Sequence, residues 1–317
     1  MNLVNGKTQL FLKKYPRHTI FSKILRHFLE SQLTRLSQTH ARRRRQLAIF
    51  AHDYISTQII LDGLYEVDEL ELLTQWLNSL QSNNIFSGMA VDVGANIGNH
   101  SLYFSDFFSE VLAFEPHPLT FKILSINTAD ACNVKCMNCG LSSSEGTAAL
   151  VIDGRNMSGA RVEQKSYDAS TIILLRSLDS VLSEISGMPV RLMKIDVEGH
   201  ESEVLAGAEE TIREHQPIIL FEQHVSDFYD GTSRVIELIR SYGYHNFACV
   251  ERFPSIPTQL PDLLRLVFTL VARLLLGSSS RIVSVNIFKP QFQPFLIAIP
   301  SWLLAEVNSA NVTACKS

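Results

Sequence analysis

The chain reads as an α/β protein built on a doubly wound, mostly parallel sheet, and three features predict this. An apolar run, Met89 to Val93, leads through Gly94 and Gly98 into a helix start. A second apolar run, Val111 to Phe114, is closed by Glu115, 21 residues beyond Gly94. From there to about residue 250, strand-like and helix-like segments alternate, the pattern of a sheet with helices on both faces.

In chain order, residues 1–50 form a basic helical extension in which Phe21, Ile24, Leu25, Phe28, Leu29, Leu33 and Leu36 recur at helical spacing and the run Arg42 to Arg45 follows. Residues 51–85 are a helical lid or brace, with Ile59, Ile60, Leu64 and Tyr65, then Leu70, Leu73, Trp76 and Leu77, on apolar stripes around Gly63. The main domain is expected over 86–300. Its strand over 89–93 is followed by the strand 111–114, a helix over 119–131 and a strand over 134–139. Residues 140–190 are long for one connection and hold a hairpin, with strands 148–152 and 171–175; insertions at this edge of a sheet are where substrate loops lie. A strand over 190–197, a helix over 201–214, a strand over 217–222 and a helix over 233–242 complete the alternation. Strands over 244–250 and 295–299 are separated by an insertion, 254–282, and residues 301–317 are a tail. The insertion contains the run Leu263 to Leu276, interrupted by Arg265 and Arg273. At fourteen residues it is shorter than the roughly 20 needed to span a bilayer, and it suits either an in-plane amphipathic helix or a core or dimer-interface helix.

The composition, 46% apolar and 19% charged, can bury a full core. The net charge of −4 conceals an asymmetry: residues 1–50 hold eleven Lys and Arg against the single acid Glu30, and the remainder is −14, with 17 bases against 31 acids. Such an arm suits an anionic membrane or a partner protein, or is a solvated basic face. No basic platform with interleaved aromatics is present, so nucleic acid is not an expected partner. The first twenty residues carry Lys13, Lys14, Pro16 and Arg17 and no sustained apolar core, so a secretory leader is not expected. A cytoplasmic chain, with peripheral contact at the inner face of the membrane, is the expectation. The five cysteines fit a reducing compartment.

The glycine turn points to the cofactor. Its spacing, Asp92-x-Gly94-x-x-x-Gly98, is not the Gly-x-Gly-x-x-Gly of dinucleotide folds. A carboxylate two residues before the first glycine repels a pyrophosphate but attracts the ammonium and sulfonium of S-adenosylmethionine. Glu115, at the end of the second strand, is placed to accept hydrogen bonds from two ribose hydroxyls. The blander alternative is that each acid caps a helix.

Four ordered segments resemble the FkbM-type family of S-adenosylmethionine-dependent methyltransferases: Val-Asp-Val-Gly-Ala-Asn-Ile-Gly (91–98), Ala-Phe-Glu-Pro-His-Pro (113–118), Ser-Leu-Asp-Ser-Val-Leu (177–182) and Lys-Ile-Asp-Val-Glu-Gly-His-Glu (194–201). Residues 63–70 fit as well. The resemblance covers roughly 55–250 and the strand ending at Pro300, and leaves out the basic arm and the Leu263 to Leu276 run. It implies a class I methyltransferase, Rossmann-like sheet of seven strands and O-methylation of a sugar, polysaccharide or natural-product hydroxyl. A small-molecule or glycan acceptor is therefore the expected partner. The implied cofactor contacts are Asp92, Gly94, Ala95, Asn96, Gly98, Glu115, Pro116, Ser142 and Asp196. A different class of function, a catalytically silent binding or partner protein on the same fold, stays open.

A hydroxyl is a poor nucleophile until its proton is being removed, so a base or a metal is required beside it. Asp196, Glu198 and His200 are the expected catalytic residues, with Glu222 and His224 as further candidates for a base or for ligands of a divalent metal. Glu198 and Glu201 also suit the first turn of the next helix by charge alone. Cys132-x-x-x-Cys136-x-x-Cys139 has the spacing of an iron–sulfur motif, but on a strand Cys136 and Cys139 face opposite sides, so no cluster is expected.

Overall fold

The computed structural model describes residues 3–4, 7–8, 18–41, 46–51, 53–80, 85–152, 160–163, 171–185, 187–229, 232–253, 268, 279–288 and 293–304. Helices α1 (His18–Ala41), α2 (Tyr54–Asp62) and α3 (Val67–Ser79) precede the sheet. The glycine turn joins β1 (Met89–Val93) to α4 (Asn99–Ser105), followed by β2 (Glu110–Phe114), α5 (Pro118–Asn127) and β3 (Val134–Met137). A second, smaller sheet interrupts the alternation, built from β4 (Gly140–Leu141), β5 (Gly146–Ile152), β6 (Ala160–Glu163) and β7 (Thr171–Arg176) in the spatial order β4-β7-β5-β6. The chain then resumes with α6 (Leu178–Glu184), β8 (Val190–Ile195), α7 (Glu201–Ala206), α8 (Glu209–His215), β9 (Ile218–Gln223) and α9 (Arg234–Ser241). It closes with β10 (Asn246–Phe253), β11 (Ser279–Val285) and β12 (Gln293–Ile299).

The main sheet has the order β11-β10-β12-β9-β8-β1-β2-β3. β3, β2, β1, β8 and β9 are parallel, and β12 is antiparallel to both β9 and β10. The strand order reverses between β1 and β8. That switch point is where an open α/β sheet leaves a crevice beyond its carboxyl ends. Both faces are covered, as a parallel sheet requires. Val181, Val204, Leu205, Ile212, Ile236 and Ile239 pack one face, and Leu70, Leu73, Leu77, Phe104, Phe108 and Leu303 the other.

Three differences from the sequence expectation have physical causes. The sheet has eight strands rather than seven, because residues 279–285, assigned in part to the 254–282 insertion, pair antiparallel with β10. Alternation explains this: Ile282 packs toward one core layer, and Val283 and Val285 toward the other. The Leu263 to Leu276 run lies outside the described residues except Phe268, and Arg42 to Arg45 lie outside them too. The brace is two helices, broken where Gly63 takes a left-handed conformation (φ 89°) and returns its N–H to the Ile59 carbonyl, a glycine C-cap. The single helix expected over 201–214 is also two. Gly207 lies so close to the Ser142 carbonyl that a Cβ would come within 1.9 Å of its oxygen. Asp179 then caps α8, accepting the Glu210 and Thr211 N–H groups at 3.0 and 2.9 Å. The Ser-Leu-Asp segment is thus a double cap, since Ser177 also accepts the Ser180 N–H at the start of α6.

Candidate active site

The carboxyl ends of β1, β2 and β8 meet at the switch point around one cavity. Gly94 makes this approach possible. At φ 79° a Cβ there would sit 1.9 Å from the Asp196 carbonyl oxygen, so the chain leaving β1 touches the chain leaving β8. Asn96 follows, also left-handed at φ 50°. Its N–H donates to Glu115 Oε2 at 3.0 Å, and the His117 N–H donates to Oε1 at 2.8 Å. Burial raises the Glu115 carboxyl, the two N–H donors pull it back, and it rests at about 7.

The brace forms the opposite wall. Asn99 on α4 exchanges two hydrogen bonds of 3.0 Å with the backbone of Tyr65. This fixes Tyr65 edge-on to Tyr54, ring centroids 6.4 Å apart, and both rings line the cavity. Behind them Glu66 pairs with His100 at 3.1 Å. Leu150 and Leu175 from the small sheet, with Leu141, Pro116 and Phe114, supply an apolar side.

Of the residues nominated from sequence, Gly94, Asn96, Glu115, Pro116, Asp196, Glu198 and His200 line the cavity, as do Glu222 and His224. Ala95 and Gly98 shape the turn without lining it: Ala95 N–H bonds the Phe114 carbonyl at 2.9 Å, and Gly98 packs against Leu124. Ser142 is buried and reaches the site only through its Oγ, 3.0 Å from His200 Nε2. Asp92 does not face the cavity. Its side chain leaves the sheet toward α4, where Oδ2 accepts from Ser101 Oγ at 2.6 Å.

Asp92 is fully buried, and its charge is answered by Lys194, a residue outside the expected site. Lys194, opposite Asp92 in the β1–β8 register, places Nζ 3.8 Å from Asp92 and 3.0 Å from Asp196. Its ammonium is also buried. Burial alone would lower it, but Asp196 and Asp92 outweigh that and hold it above the usual lysine range. Burial likewise pushes Asp196 up, and Lys194 more than reverses it, leaving the carboxylate below its ordinary range. The attraction that Asp92 was expected to exert on the cofactor is therefore spent on Lys194, inside the sheet. A second basic residue, after Arg191, within a strand of otherwise apolar residues was the available signal.

At the far end, β9 brings Glu222 and His224 to the cavity. His224 Nε2 lies 3.7 Å from Glu222 and 3.9 Å from Glu198, which stands on the left-handed turn after β8 (φ 49°). Burial, reinforced by Asp196, pushes Glu222 up to about 9, so it is a neutral acid at neutral pH. Burial lowers His200, which is already committed to Ser142. Cys136 contacts Thr128 Oγ1 at 3.3 Å, Cys139 is buried and Cys132 exposed. Among the described residues no group of three or more His, Cys, Asp and Glu side chains is arranged to hold a metal ion, so the expected divalent metal gains no support there. Lys194 Nζ stands between Asp92 and Asp196, where a cation would otherwise lie.

Five parallel strands, a reversed order at β1/β8 and one antiparallel strand inserted between β9 and β10 define a Rossmann-like class I methyltransferase fold. Residues 92–245 match the model of the methyltransferase FkbM domain. The chain is 36% identical to methyltransferase sdnD of Sordaria araneosa, the match covering 38% of this chain and 60% of that protein. It is also 36% identical to the hexuronic acid methyltransferase AglP of Haloferax volcanii, covering 37% of this chain and 48% of that protein. The chain thus spans less than two thirds of either relative. The solved FkbM methyltransferase of Methylobacillus flagellatus is 20% identical, with 68% of this chain and 54% of that chain covered and a TM-score of 0.36.

Proposed function

We propose that this chain is an S-adenosylmethionine-dependent methyltransferase acting on a hydroxyl of a neutral sugar or related natural product. The observation that carries the reading is a single cavity at the switch point. Glu115 lies at one end and the Glu198, Glu222 and His224 group at the other.

The residues fit the cofactor. Glu115, in its ionised form, would accept the ribose hydroxyls, while Pro116, Leu141, Leu150 and Leu175 offer an apolar wall to the adenine. Asp196, kept charged by Lys194, would meet the ammonium of the methionine end. When bound, S-adenosylmethionine supplies a methyl group on a sulfonium, and transfer of that methyl to oxygen leaves a neutral thioether.

The chain's own part is to place the acceptor oxygen in line and take its proton. Asp196 is a weak base, because Lys194 stabilises its charged form. His200 is turned to Ser142. His224 suits the task better: its imidazole can receive the hydroxyl proton, and the Glu198 carboxylate at 3.9 Å stabilises the cation formed. Glu222, as a neutral acid, can donate a hydrogen bond to a neighbouring acceptor oxygen. Among the described residues no Lys or Arg lines the cavity to answer the carboxylate of a hexuronic acid, the substrate class in the name of AglP. A neutral polyol needs no such counter-charge.

Cofactor affinity is expected to depend on pH through Glu115. The two hydroxyl donors favour the ionised carboxylate, which prevails above about 7 and must release a proton on binding below it. Affinity for S-adenosylhomocysteine should therefore hold at alkaline pH and fall with acidification, by up to about tenfold per pH unit below the Glu115 value. Calorimetry in two buffers of different ionisation enthalpy reads both the affinity and the released proton. Uptake of a proton, or none exchanged at pH 6, would remove Glu115 from the ribose site.

A further inference from the structure

Helix α1 presents an apolar face that the methyltransferase reading does not use. Phe21, Ile24, Leu25, Phe28, Leu29 and Leu33 are 71, 64, 46, 59, 48 and 42% exposed. Leu36, the last of the row, is half-buried. At about 100° per residue these seven side chains fall within an arc of roughly 180°, and Lys23, His27, Glu30 and Thr34 lie opposite. Arg26 borders the arc on the Leu33 side, and Arg35 falls inside it, between the lines of Ile24 and Phe28. Glu30, the only acid of the first 50 residues, is paired with Arg26 at 2.7 Å.

A large apolar face on one helix is costly to leave in water, so it points to an occupant. Charge selects which. Eleven Lys and Arg fall in residues 1–50 against that one acid, while the rest of the chain carries −14. A second copy of this chain would bring an equally basic arm against the first and is disfavoured by repulsion. An anionic bilayer matches both features: the apolar arc enters the acyl boundary, while Arg26 at its border and Arg35 within it extend their long stems so that their heads reach lipid phosphates. The helix would lie in the plane of the surface. No helix among the described residues is long and apolar enough to cross a membrane.

From this we infer that α1 docks the protein on an anionic lipid surface by inserting its Phe21, Ile24 and Phe28 face, with Arg26 and Arg35 reaching the lipid phosphates. This does not depend on the methyltransferase reading. The test is co-sedimentation of the full chain with phosphatidylcholine vesicles, with and without phosphatidylglycerol, against a variant carrying Phe21→Ser, Ile24→Ser and Phe28→Ser. These side chains are exposed, so circular dichroism of the body should be unchanged. The parent should sediment with the anionic vesicles at least about tenfold more strongly than with neutral ones, and less at high salt. The triple variant should lose this binding by about tenfold or more. Equal sedimentation of parent and variant, or no preference for anionic lipid, would overturn the inference. So would a concentration-dependent dimer of the parent that the triple variant abolishes, which would give the apolar face to a second copy.

Discussion

Exchanging Glu198 for glutamine, or His224 for asparagine, is expected to lower kcat by about 10²–10⁴. Affinity for S-adenosylhomocysteine should stay close to that of the parent. Both side chains stand at the acceptor end, 3.9 Å apart, away from the Glu115 end where the cofactor's ribose is assigned. Neither change strands a buried charge, because both residues are partly exposed. Asp196→Asn should behave differently. It keeps an acceptor oxygen but removes the nearer of the two charges facing a buried ammonium, leaving Asp92 at 3.8 Å as the carboxylate paired with Lys194, so stability and cofactor affinity should fall along with rate. His200→Ala should be mild in all three. Single-turnover methyl transfer and cofactor titration separate these patterns. If Glu198→Gln and His224→Asn turn over at the parent rate while His200→Ala is dead, the proton goes to His200 instead.

Glu115→Ala is expected to weaken S-adenosylhomocysteine binding by about 10²–10⁴-fold. Two hydrogen bonds to an ionised carboxylate contribute about 1.5–3 kcal/mol each, and a tenfold loss corresponds to about 1.4 kcal/mol. The same carboxylate also holds the Asn96 and His117 N–H groups, so alanine loosens the glycine turn as well. Glu115→Gln keeps the shape and an acceptor oxygen but removes the charge, and should fall between alanine and the parent. Calorimetry on both variants measures this, and an unchanged affinity in both would place the ribose elsewhere.

The parts of this molecule legible from its sequence are those set by local patterns. Apolar runs gave β1, β2, β8 and β9, and the glycine spacing located the turn at Gly94. Glu115 could be nominated because its place at the end of a strand follows from spacing alone. What the sequence hid depends on neighbours distant in the chain. Asp92 has the position of a cofactor acid, yet its orientation follows from the pairing of β1 with β8, which sets Lys194 opposite it. The break at Gly207 comes from the Ser142 carbonyl, 65 residues earlier in the chain. The ranking of the candidate bases was equally hidden, since it turns on which carboxylate Lys194 reaches and which histidine Ser142 holds. The eighth strand, β11, alternates in sequence, but it closely follows the Leu263 to Leu276 run, whose apolar character masks where a strand begins.

The most direct test of the account is transfer of a labelled methyl group from S-adenosylmethionine to a panel of glycosides, neutral sugars beside their uronic acid counterparts. An O-methyl ether should form on a neutral glycoside, faster than on the matching uronate, and be lost in Glu198→Gln and His224→Asn. Saturable cofactor binding with transfer confined to the uronates, or with no transfer to any hydroxyl, would contradict it, the first by reversing the acceptor's charge and the second by making the chain a silent binding module.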